Sequence, residues 1–208
     1  MESVFITAVV NAHEGRTIAC FDIPGAFLHT DFDEDITMVL KGRLAELMVQ
    51  VAPNLYRKYI TVDRKGTAIL YAKMQKALYG LLRSALLFYN NFVTDLERDG
   101  FVLNPYDSCV ANKVVDGKQM TVCWHVDNLK VSHCDLAQVT IFGEWLSEKY
   151  GMAVATHRRK VHDYLGMIFI FLLKGKVMVT MMEYIKNIIK DFPEEIVGTK
   201  TSRTIFSQ

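Results

Sequence analysis

The segment from Cys123 to His133 constrains the fold most, because it reads as two short apolar strands joined by a turn that carries a carboxylate, Asp127. Far upstream, another apolar run over residues 18–22 also ends on a carboxylate, Asp22. Mg²⁺ prefers oxygen ligands and usually takes one or two carboxylates together with substrate phosphates. Two strand-end aspartates that meet in space therefore predict a magnesium site for phosphoryl or nucleotidyl transfer.

Each aspartate also has a structural interpretation. Asp22 precedes Pro24 and Gly25, so it suits a turn or a helix cap. Asp127 is followed by Asn128, and both residue types tolerate left-handed turn geometry. Under this interpretation the chain is an unrelated α+β binding domain, and the two carboxylates lie far apart.

Composition indicates an ordinary globular chain. Of the 208 residues, 50% are hydrophobic and 23% are charged, which argues against disorder. The net charge of +1 gives no overall basic field, so any nucleic-acid surface must be local. The sequence offers three candidate basic groups: Arg57 with Lys58, Lys73 with Lys76, and the run over residues 157–160. The alternative for each group is an ordinary solvated surface.

The four cysteines have no metal-binding spacing and are predicted to be reduced thiols of an intracellular protein. No apolar run reaches about 18 residues, so we expect no membrane span.

Hydrophobic periodicity and turn signals predict the elements. Helices are predicted over residues 2–13, 43–51, 75–99, 136–150 and 181–192, and strands over residues 17–22, 36–40, 61–63, 67–71, 108–115, 118–126, 161–171 and 176–180. A turn is predicted at Asp127–Asn128. Antiparallel hairpins interleaved with two long helices indicate an α+β fold, with helices on one face of an antiparallel sheet.

Four short motifs, in this order, resemble those of copia-type long-terminal-repeat retrotransposon reverse transcriptases. They are FDIPGAFLH at residues 21–29, LYGL at residues 78–81, HVDN at residues 125–128 and YLGM at residues 164–167. The resemblance extends from about residue 15 to residue 200. It implies a polymerase palm over residues 1–172 with a connection insert at about 36–74, followed by the start of a helical thumb over residues 173–208.

The resemblance also implies a reaction, RNA- or DNA-templated DNA synthesis by two-metal nucleotidyl transfer. Asp22 and Asp127 would be the catalytic carboxylates and would hold two Mg²⁺ ions. Asn128 stands where the family has a second aspartate. It keeps a carbonyl oxygen but carries no charge, so we expect a weakened catalytic centre.

Further site residues follow from the same resemblance. Ala26 and Phe27 would form the nucleotide pocket, with Phe27 excluding a ribose 2′-hydroxyl. Residues beside the template base and the incoming nucleotide, at the start of the long helix, would be Gln75, Tyr79, Gly80 and Ser84. The primer grip would be the hairpin of Tyr164, Leu165, Gly166 and Met167. The structural alternatives are a plain core position for Phe27, a backbone bend at Gly80 and a strand bulge at Gly166.

The implied partners are a primed RNA or DNA template, deoxynucleoside triphosphates and the rest of a retroelement polyprotein, with no membrane. The implied location is a cytoplasmic virus-like particle or the nucleus. Few residues precede Asp22, so the fingers subdomain is expected to be largely missing. The alternative function is that of a non-catalytic remnant that binds nucleic acid or a partner protein.

Overall fold

The computed structural model describes residues 2–151, the backbone of 155–157, and residues 160–192. Its helices are α1 (Glu2–Glu14), α2 (Arg43–Val51), α3 (Pro53–Tyr56), α4 (Leu82–Arg98), α5 (Leu136–Tyr150) and α6 (Met182–Asp191). Its strands are β1 (Thr17–Asp22), β2 (Thr37–Lys41), β3 (Thr61–Val62), β4 (Ala68–Lys73), β5 (Val102–Asn104), β6 (Asp107–Val115), β7 (Lys118–His125), β8 (Asn128–His133), β9 (Ala155–His157), β10 (Val161–Tyr164), β11 (Met167–Leu173) and β12 (Lys176–Thr180).

The central element is a six-stranded sheet in the order β5-β6-β7-β8-β1-β9, and each neighbouring pair is antiparallel. Strand β1 lies beside β8, and the register places Asp22 directly opposite Asn128. The end of β1 and the turn between β7 and β8 therefore meet at one edge of the sheet. The fold is α+β with antiparallel sheets, as the sequence predicts.

Side chains alternate between the two faces of the central sheet, and each face has its own core. On one face, α4 and α5 bury aromatic and aliphatic side chains against the strands; this core includes Phe21, Phe88, Phe92, Leu96, Val122, Leu129, Phe142 and Leu146. The opposite face is covered by α1 and by a second sheet, β10-β11-β12. Its core includes Val4, Ala8, Cys20, Val110, Cys123, Tyr164, Met167 and Phe169. Helices α4 and α5 thus share one face, whereas α1 packs on the other.

Residues 36–74, the predicted insert, form a small sheet of their own in the order β2-β4-β3. Helix α2 packs on this sheet, with Ala45 and Leu70 fully or almost fully buried. The segment returns to the central sheet through Met74, whose backbone N–H bonds to the carbonyl of Ile36 at 3.0 Å.

The predicted helix over residues 75–99 is wrong at its start, because α4 begins at Leu82. The preceding residues use their backbone groups in tertiary hydrogen bonds. The N–H of Ala77 donates to the carbonyl of Thr30 at 3.0 Å, and the carbonyl of Gln75 accepts from Phe32 at 2.9 Å. Gly80 has a φ of 94°, which no right-handed helix can accommodate. The residues around LYGL therefore form a loop.

Smaller differences concern turns and short strands. The two-residue turn is Val126–Asp127, because His125 pairs with Asn128 and so places Asn128 inside β8. The predicted strand over residues 161–171 is divided into β10 and β11 by the turn Leu165–Gly166. Helix α3 and strands β5 and β9 were not predicted from the sequence. Among the described residues, no helix combines the length and apolar character that crossing a membrane requires.

Two regions named in the sequence analysis fall outside the described residues. They are Arg158 and Arg159 of the basic run, and residues 193–208 of the predicted thumb.

Candidate active site

Asp22 and Asp127 come together at the edge of the central sheet. Asp22 ends β1, and Asp127 lies in the turn between β7 and β8. The two strands β7 and β8 and the turn between them are called the Asp127 hairpin below. The N–H of Ile23 donates to the carbonyl of Asp127 at 3.2 Å, so the two chain segments touch at this point. Val126 has a φ of 56°, a left-handed conformation that a β-branched residue rarely adopts. The packing around the turn therefore holds Asp127 in place at a conformational cost.

The two carboxylates are close enough to interact electrostatically. Partial burial and the negative charge of Asp127 both raise the pKa of the Asp22 carboxyl. Partial burial, the hydrogen bond to Asp127 and the negative charges of both aspartates raise the pKa of Tyr79 to about 12. Within the described residues, no three His, Cys, Asp or Glu side chains are grouped so that they could hold a metal ion. The pair Asp22–Asp127 is therefore the acidic centre of the site.

Asn128 completes this edge of the sheet without adding charge. Its side-chain Nδ2 donates to Oδ1 of Asp127 at 3.2 Å. An aspartate at this position would have no such donor and would repel Asp127 instead. The asparagine therefore stabilises the carboxylate pair in the absence of a cation and lowers the negative charge available to bind one.

Phe27 and Tyr79 form an aromatic pair next to the carboxylates. Phe27 lies in a short 3₁₀ helix, Ala26–His29, and both Ala26 and Phe27 are buried. The ring centroids of Phe27 and Tyr79 are 4.2 Å apart, and Phe88 supports Phe27 from below at 6.1 Å. The hydroxyl of Tyr79 donates to Oδ2 of Asp127. The predicted pocket residues Ala26, Phe27 and Tyr79 are therefore adjacent to the acidic pair.

Comparison with known families identifies the chain. Residues 1–205 match the family described as "Reverse transcriptase (RNA-dependent DNA polymerase)". The chain belongs to the reverse transcriptase family. Among solved structures, it is similar to apo telomerase from Candida tropicalis, with 11% identity and a TM-score of 0.46 over 85% of this chain and 35% of that one. It is also similar to telomerase from Candida albicans in complex with a fragment of telomeric RNA, with 13% identity and a TM-score of 0.42 over 81% and 33% of the two chains. The chain thus spans about a third of the solved chains that it matches.

The loop that contains LYGL is anchored by Ser84. Ser84 is fully buried in α4, and its Oγ accepts a hydrogen bond from the N–H of Leu78 at 3.1 Å. Gln75 is exposed, and its carbonyl is bonded to Phe32 at the base of the loop. Of the four residues predicted for this region, the structure brings Tyr79 against the carboxylates, while Ser84 supports the loop.

The predicted primer grip is the hairpin of β10 and β11, called the Gly166 hairpin below. Tyr164 pairs with Met167 across the turn, and Leu165 and Gly166 both have positive φ, at 54° and 73°. The buried hydroxyl of Tyr164 can donate to the carbonyls of Cys123, at 3.3 Å, and Asn128, at 3.2 Å. The Gly166 hairpin is therefore in contact with both strands of the Asp127 hairpin.

A cavity of about 400 Å³ lies between the two hairpins. Its lining includes Asp22, Asn128, Leu165 and Gly166, and also Asp163, which the sequence analysis missed. Strand alternation is the sequence signal that could have identified Asp163, because it lies between the buried His162 and Tyr164. The alternation was not informative by itself, because it does not show that this face of β10 lies next to Asp22.

Both lysines of one predicted basic group are already paired with carboxylates. Lys73 lies 3.0 Å from Asp35, and Lys76 lies 2.6 Å from Asp31. Arg83 makes a two-pronged contact with Asp33, at 2.7 and 2.6 Å. These acidic partners all belong to residues 31–35, called the acidic loop below.

Proposed function

We propose that this chain is the palm, residues 1–172, and partial thumb, residues 173–208, of a copia-type reverse transcriptase that synthesises DNA on a primed RNA or DNA template. The observation that carries the proposal is the meeting of Asp22 and Asp127 at one edge of the central sheet, close enough for the charge of one to raise the pKa of the other. Membership of the reverse transcriptase family supports the same reaction.

The residues present suit Mg²⁺, because two like charges face each other and carboxylate oxygen is a preferred ligand. Asp22 and Asp127 would hold the metal, with substrate phosphates supplying further oxygens. Two bound Mg²⁺ ions supply activation of the primer 3′-hydroxyl and neutralisation of the leaving pyrophosphate. Phe27 forms the floor of the nucleotide pocket, and Tyr164 holds the primer-grip turn against the Asp127 hairpin.

The chemistry of this copy is weakened by Asn128. The side chain of Asn128 donates to Asp127 where a second carboxylate would add charge to the metal site. Loss of one positioned electrostatic group typically costs a factor of about 10²–10³ in rate. The expected partners are a primed template, deoxynucleoside triphosphates and the rest of a retroelement polyprotein. The expected setting is a cytoplasmic virus-like particle or the nucleus.

Primer extension tests this proposal. We expect Asn128→Asp to extend a primer on an RNA template about 10²-fold faster than the native chain, with Mg²⁺ present. Asp22→Asn in the Asn128→Asp background should abolish the gain. A native chain that is already as fast as Asn128→Asp would contradict the impairment, although it would leave the polymerase assignment in place.

The same assay separates the alternative function. One observation favours a non-catalytic remnant, namely that both carboxylate oxygens of Asp127 already accept hydrogen bonds from side chains of the protein itself. Salt-dependent binding of a primer–template, with no extension by either the native chain or Asn128→Asp, would establish that alternative.

A further inference from the structure

Tyr79 lies across the acidic pair and makes two contacts there at once. Its hydroxyl donates to Oδ2 of Asp127, and its ring lies 4.2 Å from that of Phe27 with an interplanar angle of 43°. The first contact uses an oxygen that the proposed function assigns to a metal ion. The second covers the aromatic floor that the proposed function assigns to the nucleotide sugar. In this conformation one side chain fills both places.

The loop that carries Tyr79 is hydrogen-bonded before Tyr79 and joins α4 at Leu82 after it, with an unpacked glycine in between. Before Tyr79, the N–H of Ala77 bonds to Thr30 and the N–H of Leu78 bonds to Ser84. After it, Gly80 has a φ of 94°, and no atom lies within 4 Å of the place where a β-carbon would be. Tyr79 itself is 58% exposed. More than half of its surface is therefore open to solvent, and its contacts with Phe27 and Asp127 hold the side chain in place.

The other oxygen of Asp127 is also in use. Its Oδ1 accepts from Nδ2 of Asn128 at 3.2 Å. A cation that binds the Asp127 carboxylate must therefore displace at least one donor of the protein. Asn128 is at the start of a paired strand, whereas Tyr79 is on a loop next to a glycine. Tyr79 is the donor that moves at the lower cost.

We propose that Tyr79 is a gate over the active site, and that its hydroxyl and a divalent cation compete for the same carboxylate oxygen of Asp127. This inference rests on the proposed function, because it takes Asp127 as a metal ligand. When the cation binds, the phenol swings out about Gly80 and uncovers Phe27 for the nucleotide. The gate couples metal binding to the opening of the nucleotide pocket.

The test is the affinity for Mn²⁺, measured by electron paramagnetic resonance as the loss of the free-ion signal. Tyr79→Phe keeps the ring on Phe27 and removes only the competing hydroxyl, so we expect it to bind Mn²⁺ about tenfold more tightly than the native chain. Tyr89→Phe is the matched control. It also removes a hydroxyl, one that donates to the carbonyl of Ser108 at 3.1 Å, and its Mn²⁺ affinity should equal that of the native chain.

Asp127→Asn separates this proposal from the proposed function. If Asp127→Asn loses Mn²⁺ binding but Tyr79→Phe binds no more tightly than the native chain, the gate is overturned and the metal site stands. If Asp127→Asn binds Mn²⁺ normally, the metal site and the gate both fail.

A second measurement keeps the hydroxyl of Tyr79 in place. With fluorotyrosine at position 79, the ¹⁹F resonance should move when Mg²⁺ is added to the native sequence and should stay in place in Asp127→Asn. If the protein binds Mg²⁺ but the ¹⁹F resonance does not move at saturating Mg²⁺, the gate is overturned.

Discussion

Lys130 is a lysine of strand β8 whose side chain is buried on the face of the Asp127 hairpin that α1 covers. Its ammonium donates to the carbonyl of Val4 at 3.0 Å and to Oγ1 of Thr7 at 2.8 Å, and it lies 5.5 Å from the ring centroid of Phe169. Burial lowers its pKa from 10.5 to about 8. The residue therefore attaches α1 to the sheet at the cost of holding a cation away from water.

This burial predicts a pH-dependent stability. The unfolded chain keeps Lys130 protonated up to pH 10.5, whereas the folded chain releases the proton near pH 8, so Lys130 makes folding more favourable as the pH rises through this window. The free energy of unfolding of the native chain should rise by about 1 kcal/mol relative to Lys130→Met between pH 7 and pH 9. Urea denaturation at both pH values measures the difference.

Lys118→Met is the control for this prediction, because Lys118 is exposed at the end of the β6–β7 hairpin. Its stability difference from the native chain should be the same at pH 7 and pH 9. If the free energy of unfolding of Lys130→Met also differs from that of the native chain by the same amount at pH 7 and pH 9, the lysine is already neutral, or well solvated, at pH 7.

At the residue scale, the sequence was informative where a pattern is local. Asp22 and Asp127 could be found because each follows an apolar strand. The bond from Tyr79 to Asp127 could not be found, because it joins a loop to a hairpin that is distant in sequence. Lys130 was also missed, because a lysine within an apolar strand gives no sign of the acceptors that α1 provides.

Among the elements, α6 is held by few contacts. None of its residues is buried, and the ring of Tyr184 packs over the turn of the Gly166 hairpin. A β-carbon at Gly166 would lie 3.2 Å from Cδ2 of Tyr184. Glycine is therefore needed at this turn both for its positive φ and for the approach of α6.

Gly166→Ala should loosen α6, because the added methyl group displaces the Tyr184 ring. Gly175→Ala is the matched control, since Gly175 has a similar φ of 77° but no atom within 4 Å of a β-carbon. Each variant should lose about 1–2 kcal/mol from the left-handed backbone alone. Only Gly166→Ala should speed amide hydrogen exchange in α6, and equal exchange in the two variants would contradict the packing role.

Elements were predictable where the local signal and the tertiary structure agree. The predicted bounds of β1, α2 and α5 are confirmed, because apolar periodicity and a glycine beyond α5 define them. The start of α4 was not predictable, since residues 75–81 have helical composition but bond to Thr30, Phe32 and Ser84 instead. The turn at Val126–Asp127 was placed one residue late, because propensity favours Asn over Val at positive φ whereas strand register decides the matter.

Across the whole molecule, a net charge of +1 conceals a local arrangement of opposite charges. The acidic loop neutralises Lys73, Lys76 and Arg83 on one side of the LYGL loop. These ion pairs are exposed, so each contributes little to stability. Their larger effect is on nucleic-acid binding, because a cation paired with a carboxylate contributes less to the attraction of phosphate.

Removing the negative charges of the acidic loop should strengthen the attraction of phosphate. The triple variant Asp31→Asn, Asp33→Asn, Asp35→Asn should bind a primer–template more tightly and with a steeper salt dependence. Arg83 keeps an ion pair with Glu34 at 3.1 Å, so the variant frees two cations, Lys73 and Lys76. If each of these two then contacts one phosphate, the slope of log K against log[salt] should steepen by about 2. Fluorescence anisotropy over a range of salt concentrations measures it.

The control is a variant with the same change of net charge at ion pairs elsewhere, Glu14→Gln, Glu46→Gln, Asp99→Asn. If it steepens the slope as much as the loop variant does, net charge and not the position of the loop governs binding.

The phenol of Tyr164 has a mechanical consequence. It lies within hydrogen-bond distance of a carbonyl on the strand before Asp127 and of one on the strand after it, so a shift of the Gly166 hairpin is transmitted to both strands that carry the Asp127 turn. Under the proposed function, a primer that presses on the Gly166 hairpin therefore acts on Asp127 through this one phenol.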